Sequence, residues 1–353
     1  MRIAILGSVA LPVPPPAQGG TEWIAYYQAK GLSERGHKVI LFAAKGSKKD
    51  KYELVEVGKG DTVQGSTLQG VNKDGFVESS RKLRLENVYL AQAIQQLIDR
   101  KDDYDVILNN MRGEAIFLPV AKMLNKPFVN VMHLPIFPEL AEIFKEYHTH
   151  VITISQAQRK DYQDLNYLAT VNNCVDTKQY AFNAVPEDYL LMMGSIAPHK
   201  NQAGAIRVAK KLGMKLILAG KINDRKYFDS LKGDIDGKLI NWIGELAFPE
   251  KLKLYQKAKA FLFPILWEEP FGLVMIEAMA CGTPVVAFNN GAISEVVVDS
   301  KTGFVIDNNS EEKMIEAVRK IDSIRRADCR NYVEENFSVE KIVGDYEIAL
   351  SRI

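Results

Sequence analysis

The sequence predicts an α/β protein made of two doubly wound domains facing across a cleft. Three observations carry that expectation. Residues 261–288 spell strand, helix and strand: an apolar run from Phe261 to Leu266, a break at Glu268, Glu269 and Pro270, a helical stretch from Phe271 or Gly272 to about Ala280, a stop at Gly282 and Pro284, and an apolar run from Val285 to Phe288. The same rhythm opens the chain, where Arg2–Gly7 and His37–Ala43 read as strands around a helix from about Thr21 to Arg35 that Gly36 stops. The 353 residues are enough to build two cores.

The first domain is expected over residues 1–185. Its first strand leads into a loop rich in Pro and Gly that ends in Gly19 and Gly20, and adjacent glycines before a helix permit close backbone approach to a ligand. This turn does not match the dinucleotide pattern Gly-x-Gly-x-x-Gly. Residues 45–80 are polar and glycine-rich, with alternation at Tyr52–Val57, and read as a strand or two with mobile loops. A helix over Lys82–Arg100 presents Leu83, Val88, Ala91, Ile94, Leu97 and Ile98, and the basic group Arg81, Lys82 and Arg84 reads as its solvated start. Strands Tyr104–Leu108 and Pro127–Met132 end at Asn109–Asn110 and at His133. His148 and His150 form a His-x-His pair with no evident third metal ligand in the sequence. After the short strand Val151–Ser155, Ser155 is placed to cap a polar helical stretch.

A linker near Phe182–Asp188 leads to the second domain, residues 186–335. Strands are expected at Tyr189–Met193, Lys215–Ala219, Leu239–Ile243 and Gly303–Ile306, with helices at Leu252–Ala258 and Glu311–Ile321. Trp242, inside a strand, reads as core rather than as a stacking platform. Asp234-Ile235-Asp236, between Gly233 and Gly237, reads as a surface turn. Residues 336–353 hold a last helix, Val339–Ser351, that Ser338 can cap; Lys341 three residues on rules out the reciprocal capping box.

Ligands of open α/β sheets sit beyond the carboxyl ends of the strands. Glu269 falls there, and Glu277 follows on the helix. If both face one crevice, two carboxylates line one wall beside helix-start amides suited to a phosphate. In Gly194-Ser195-Ile196-Ala197-Pro198-His199-Lys200 a strand ends at a glycine and the loop ends at a lysine, where it can oppose charge growing on a diphosphate leaving group. On periodicity alone, 261–288 reads first as an ordinary βα unit with a charged loop and one solvated glutamate.

Trp267 to Ala287 resembles the signature of retaining GT-B glycosyltransferases of family 4. That signature has two glutamates separated by seven residues with Pro-Phe-Gly after the first, which Glu269, Pro270, Phe271, Gly272 and Glu277 match; Glu277-Ala278-Met279-Ala280-Cys281-Gly282-Thr283-Pro284 continues the likeness. The resemblance covers most of the chain. It implies a retaining, hexosyltransferase-type enzyme that moves a sugar from a nucleotide-diphosphate sugar, UDP- or GDP-linked, to a hydroxyl of a sugar, metabolite or lipid-linked acceptor. It implies no cofactor and no bound metal. Gly19 and Gly20 resemble the family's flexible glycine loop, and His133-Leu134-Pro135 its histidine that touches the donor sugar. Lys200 matches its diphosphate lysine, and Asn290-Gly291-Ala292 its glycine loop beside the second glutamate. The implied roles are Lys200 and the Gly272 helix start for the diphosphate, Glu277 for ribose, and Glu269 for sugar hydroxyls with Phe271, Gly272 and Leu273 nearby. The implied catalytic set is His133, Lys200 and Glu269. Ser195 stands where the family commonly has arginine, so one of two cations that normally share the diphosphate is absent from its usual place. Cys174 replaces a usual glycine. A GT-B epimerase or phosphorylase, or a nucleotide-sugar-binding protein with weak turnover, remains as an alternative.

Lys and Arg number 45 and Asp and Glu 44, a net charge of +1 that gives no reason to expect a nucleic acid partner. Three cysteines far apart suggest a reducing, cytoplasmic setting rather than a disulfide framework. The N-terminus lacks the shape of a secretory signal, and no run approaches the roughly 20 apolar residues of a spanning helix. Peripheral membrane contact stays open.

Overall fold

The computed structural model of the protein describes residues 1–16, 19–60 and 76–353. The chain divides into two compact units. One comprises Met1–Ile154, Arg159–Val171 and Val343–Ile353; the other comprises Ser155–Gln158 and Asn172–Ile342.

In the first unit the described strands are β1 (Arg2–Ser8), β2 (Lys38–Ala43), β3 (Glu53–Glu56), β4 (Val106–Asn109), β5 (Phe128–Met132), β6 (His150–Thr153) and β7 (Tyr167–Thr170). They form a parallel sheet in the order β3-β2-β1-β4-β5-β6-β7. Its helices are α1 (Gly20–Glu34), α2 (Phe76–Asp99), α3 (Leu118–Leu124) and α4 (Pro138–Glu146). β4 and β5 are buried along their whole length, as parallel strands covered by helices on both faces must be. One core packs Leu90, Ala93 and Leu97 of α2 against Leu6, Phe42 and Ile107 of the sheet. Expected strand positions hold to within a few residues. The helix expected from Lys82 begins at Phe76, so Arg81, Lys82 and Arg84 lie inside it rather than at its start. Of the loops expected over 45–80, residues 61–75 lie outside the described residues.

The second unit holds β8 (Tyr189–Met193), β9 (Lys215–Ala219), β10 (Ile240–Trp242), β11 (Ala260–Phe263), β12 (Val285–Phe288) and β13 (Gly303–Ile306), parallel in the order β10-β9-β8-β11-β12-β13. Its helices are α5 (Gln202–Leu212), α6 (Arg225–Leu231), α7 (Phe248–Lys257), α8 (Leu273–Ala280), α9 (Ile293–Val296), α10 (Glu311–Arg319) and α11 (Arg326–Asn336). α8 is apolar nearly all round and its Met275, Ile276, Ala278, Met279 and Ala280 are buried, so it is an internal helix rather than a surface one. α11 was not legible in the sequence, because its buried residues are only Cys329 and Val333 in an otherwise polar stretch. Its Arg330 donates to the carbonyl of Ala280 at 2.8 Å, satisfying the end of α8. The last helix, α12 (Val339–Leu350), is capped by Ser338, whose hydroxyl accepts from the Lys341 amide at 3.4 Å. Within the first unit, Glu347 on α12 accepts from Arg35 at 2.7 Å and pairs with His37 at 2.9 Å; those two partners, His37 first, hold its carboxyl below the usual range.

Two local expectations need correction. No helix follows Ser155 beyond the single 3-10 turn Ala157–Arg159, and the Ser155 hydroxyl caps nothing. The Glu295 carboxylate takes the amides of Gln156 and Ala157 instead, at 2.7 Å each, because a charged acceptor outcompetes a buried hydroxyl. Trp242 is half-buried, with its ring 4.6 Å from Phe228 and its indole N–H on the Gly220 carbonyl at 3.0 Å.

The carboxyl ends of β8 and β9 approach so closely that a Cβ on Gly220 would lie 1.9 Å from the Gly194 carbonyl oxygen. Gly220→Ala is therefore expected to destabilise the protein by about 2 kcal/mol or more. A denaturant titration checks this; an unchanged midpoint would show that the two strand ends separate freely.

Candidate functional site

Strand order reverses in the second sheet at β8, with β9 on one side and β11 on the other. Ligands of open α/β sheets bind at such a reversal, outside the carboxyl ends. The segments that leave β8 and β11 there are 194–200 and 264–272, the two stretches the sequence singled out.

The first segment is shaped by its backbone. The Ile196 amide bonds the Lys221 carbonyl at 2.9 Å, and the Gln202 amide nitrogen holds the Ser195 carbonyl at 3.0 Å. A 3-10 turn, Pro198–Lys200, then passes into α5 through Asn201, which has φ 60° and caps the Gly204 amide at 3.1 Å. The His199 carbonyl accepts from the Leu266 amide at 2.8 Å, tying the two segments together. Lys200 is thereby carried to Glu269: its Nζ lies 2.9 Å from Glu269 Oε2, with the side chains only 18% and 12% exposed. Trp267 donates its indole N–H to the same oxygen at 2.9 Å. The Lys200 ammonium also lies 5.0 Å from the Trp267 ring centre and 5.6 Å from that of Phe263. Beside it, burial first and the charge of Lys200 second hold His199 below its ordinary range, so this imidazole is neutral at pH 7.

The backbone of Glu269 is held by the loop after β12. Ala292 donates to the Glu269 carbonyl at 2.9 Å, and a Cβ on Gly291 would lie 2.4 Å from the Glu269 nitrogen. The glycine loop Asn290–Ala292 was expected beside the second glutamate; its backbone packs on the first. Gly272, at φ 87°, opens α8 without a side-chain cap, and its Cβ direction is filled by Met275. Phe271 is buried against Phe337, ring centres 5.6 Å apart, so only its backbone can serve a ligand.

Glu277 sits in a different hydrogen-bond cluster. Its Oε1 accepts from Tyr180 at 3.0 Å and Lys251 at 2.9 Å, and its Oε2 from Lys251 at 3.0 Å and Tyr255 at 2.7 Å. Three donor groups make four contacts, matching the number of lone-pair sites on a carboxylate. Tyr255 is fully buried, and its phenol is pushed well above its usual range by burial first and by the Glu277 charge second. The helix expected over Leu252–Ala258 begins at Phe248, which puts Lys251 on α7 four residues before Tyr255 and on the same face, and that face meets Glu277. Trp267, Lys251, Tyr180 and Tyr255 were all missed as partners of the two glutamates.

In the first unit, His133 follows β5 and its Nε2 lies 2.9 Å from Asn110 Oδ1, just past β4. Asn110 is paired with Gln28 of α1 through both amides, at 2.7 and 3.1 Å. Desolvation lowers the His133 pKa to about 4. Gly19 precedes α1, and a Cβ there would meet Pro15 at 2.7 Å and the Glu22 carboxylate at 2.8 Å, so packing alone already requires glycine. Glu22 accepts from Ser8 at 2.9 Å. Gly20 is the first residue of α1. Because His133 stays neutral in the folded chain while an unfolded histidine gains a proton near pH 6.5, stability is expected to fall as pH drops from 6.5 to 4, by up to about 3 kcal/mol. Chemical denaturation of the wild type and His133→Gln across that window measures this; equal acid sensitivity in both would exclude His133 as its source.

The family profile described as Glycosyltransferase Family 4 matches residues 18–179, and that described as Glycosyl transferases group 1 matches residues 177–336. The chain belongs to this glycosyltransferase family and has its GT-B fold, two Rossmann-like domains. It is 27% identical over 210 residues to the O-antigen chain mannosyltransferase RfbU of Salmonella typhimurium, a match that spans 56% of this chain and 59% of that protein. It is 33% identical over 135 residues to O-antigen chain mannosyltransferase B of Escherichia coli, spanning 35% of this chain and 34% of that one. Among solved structures, AviGT4, a glycosyltransferase involved in avilamycin A biosynthesis, superposes with a TM-score of 0.73 at 24% identity over 99% of this chain and 97% of its own. HepE of Anabaena in complex with UDP and glucose superposes with a TM-score of 0.74 at 18% identity over 100% of both chains. No helix among the described residues is long and apolar enough to cross a membrane.

Proposed function

We propose that this protein transfers a sugar, with retention at the anomeric carbon, from a UDP- or GDP-linked donor to the hydroxyl of a sugar, metabolite or lipid-linked acceptor. The observation that carries the reading is the Lys200–Glu269 pair at the strand reversal of the second sheet, within the family's paired-glutamate pattern. Supporting it, HepE was captured with UDP and glucose.

Lys200 stabilises the departing diphosphate, assisted by the uncapped amides where α8 begins at Gly272. Glu269 accepts hydroxyls of the transferred sugar through Oε1. Glu277 accepts ribose hydroxyls. Its acceptor sites are already filled, so the ribose exchanges with the Tyr180 hydroxyl, one neutral O–H for another, while Lys251 and Tyr255 keep the carboxylate in place. His133, neutral, donates its Nε2–H to Asn110 Oδ1 and so offers Nδ1, an acceptor rather than a charge, to a hydroxyl of the donor sugar. Gly19, Gly20 and Leu273 complete the donor-side set. Attack by the acceptor oxygen on the face the diphosphate leaves gives retention. The buried thiols Cys174, Cys281 and Cys329, all unpaired, favour a reducing, cytoplasmic location.

A nucleotide-sugar-binding protein without turnover is the second reading, and Ser195 favours it, since no cationic side chain stands at that position. Mass-spectrometric screening of nucleotide sugars, followed by acceptor-dependent product detection with the best donor, separates the two. A product of retained configuration formed only with acceptor supports transfer. Binding without product across a broad acceptor panel supports the second reading, and nucleotide release without acceptor supports neither.

A further inference from the structure

We infer that Trp267 is a positioning residue that divides the labour of the Lys200–Glu269 pair, an inference that rests on the transfer reading above. The two oxygens of Glu269 are not equivalent. Oε2 receives both the Lys200 ammonium and the Trp267 indole N–H, each at 2.9 Å, while no side-chain donor among the described residues reaches Oε1. The indole N–H therefore fixes the carboxylate about its last torsion and leaves Oε1 as the oxygen presented to a ligand hydroxyl.

The ring does a second thing. Its face lies 5.0 Å from the Lys200 ammonium, and the Phe263 ring at 5.6 Å adds a further aromatic surface. A cation held by aromatic faces keeps its N–H donors more available than one locked wholly into an ion pair. Ring and N–H act together: Glu269 Oε2 shares its charge between two donors, so Lys200 is bound loosely enough to turn toward a developing diphosphate. His199, edge-on to the ring at 5.5 Å, supports the indole from the turn that carries Lys200. If the N–H is removed, Lys200 becomes the only side-chain donor on Oε2, the ion pair tightens, and the ammonium is withheld from the leaving group. The loss then appears in turnover rather than in nucleotide affinity.

The test uses the full chain. Trp267→Phe keeps a ring over Lys200 and removes the N–H. Its kcat is expected to fall about 10-fold, with the Kd for nucleoside diphosphate within about twofold of wild type. In a Glu269→Ala background the same substitution is expected to change kcat less than twofold, because the carboxylate it acts through is gone. Losses that multiply independently, or an equal loss in nucleoside diphosphate affinity, would overturn the positioning role. A second measurement needs no turnover. The chain has three tryptophans, so a proton–nitrogen spectrum shows three indole signals. Glu269→Ala is expected to move the signal that Trp267→Phe deletes, and to speed its exchange with water, while those of Trp23 and Trp242 stay. An unmoved signal overturns the inference even in an active enzyme. Conversely, a wild type that transfers no sugar while this signal moves removes the proposed function and leaves the geometry standing.

Discussion

Lys200→Ala is expected to lower turnover about 100-fold or more, the scale at which loss of one preorganised charge partner slows a reaction that develops anionic charge. The sequence raised this expectation by showing Ser195 in place of a second cation. The structure sharpens it. Lys200 is mostly buried, aromatic on two sides and paired with Glu269. Its removal leaves a mostly buried carboxylate with the Trp267 N–H as its remaining side-chain donor, so a modest loss of stability, about 1–2 kcal/mol, accompanies the kinetic loss. Steady-state kinetics with the best donor and thermal melts of the same preparation give both numbers. Turnover equal to wild type would remove Lys200 from the mechanism. A neighbouring cation substituting for the missing arginine would show as a much smaller loss; Lys221, whose backbone bonds Ile196 beside Ser195, is the first to substitute in that event.

Replacing the two glutamates by glutamine is expected to have different consequences. Glu269→Gln should leave nucleoside diphosphate binding nearly intact and reduce binding or transfer of the full donor, since an amide makes weaker hydrogen bonds to hydroxyls than a carboxylate does. Glu277→Gln should weaken nucleoside diphosphate and donor alike. It should also lower stability, by about 2 kcal/mol, because Lys251 loses two charge-assisted bonds and the buried Tyr255 hydroxyl loses its charged acceptor. Calorimetry with nucleoside diphosphate and with nucleotide sugar separates the roles, and a melt separates both from instability. If Glu269→Gln weakened both ligands equally while Glu277→Gln weakened neither, the ribose and sugar roles would be lost, and both carboxylates would be read as structural.

Much of this site was legible before any fold was known, for a local reason. Strand, turn and helix within 261–288 are set by the spacing of apolar residues and by Pro270, Gly272, Gly282 and Pro284, all of which act over a few residues. Lys200 and Glu269 were each placed in the loop after a strand for the same reason, and the family resemblance then gave them roles. Local signals failed where the partner was distant in sequence. Ser155 looked like a helix cap, yet Glu295 takes the amides of Gln156 and Ala157 just beyond it, from 139 and 138 residues further along the chain. The family resemblance put the loop at Gly291 beside Glu277, and a parallel bridge sets Gly291 against Glu269. α11 was unseen because its stabilising contacts are arginine bonds to carbonyls of other segments, which leave no apolar period.

By itself the sequence determined the α/β class, the positions of most strands, the two glutamates with their seven-residue spacing, and a lysine at the end of the loop after a strand. Each of these depends on residues within one or two turns of chain, where periodicity and backbone preference act. Only the tertiary structure decided which groups meet: Lys200 and Trp267 on one oxygen of Glu269, Lys251, Tyr180 and Tyr255 around Glu277, and the Gln28–Asn110 pair behind His133. Those contacts join residues brought together by strand order and helix packing, and the charge state and free acceptor sites of a buried group depend on neighbours that no local pattern records.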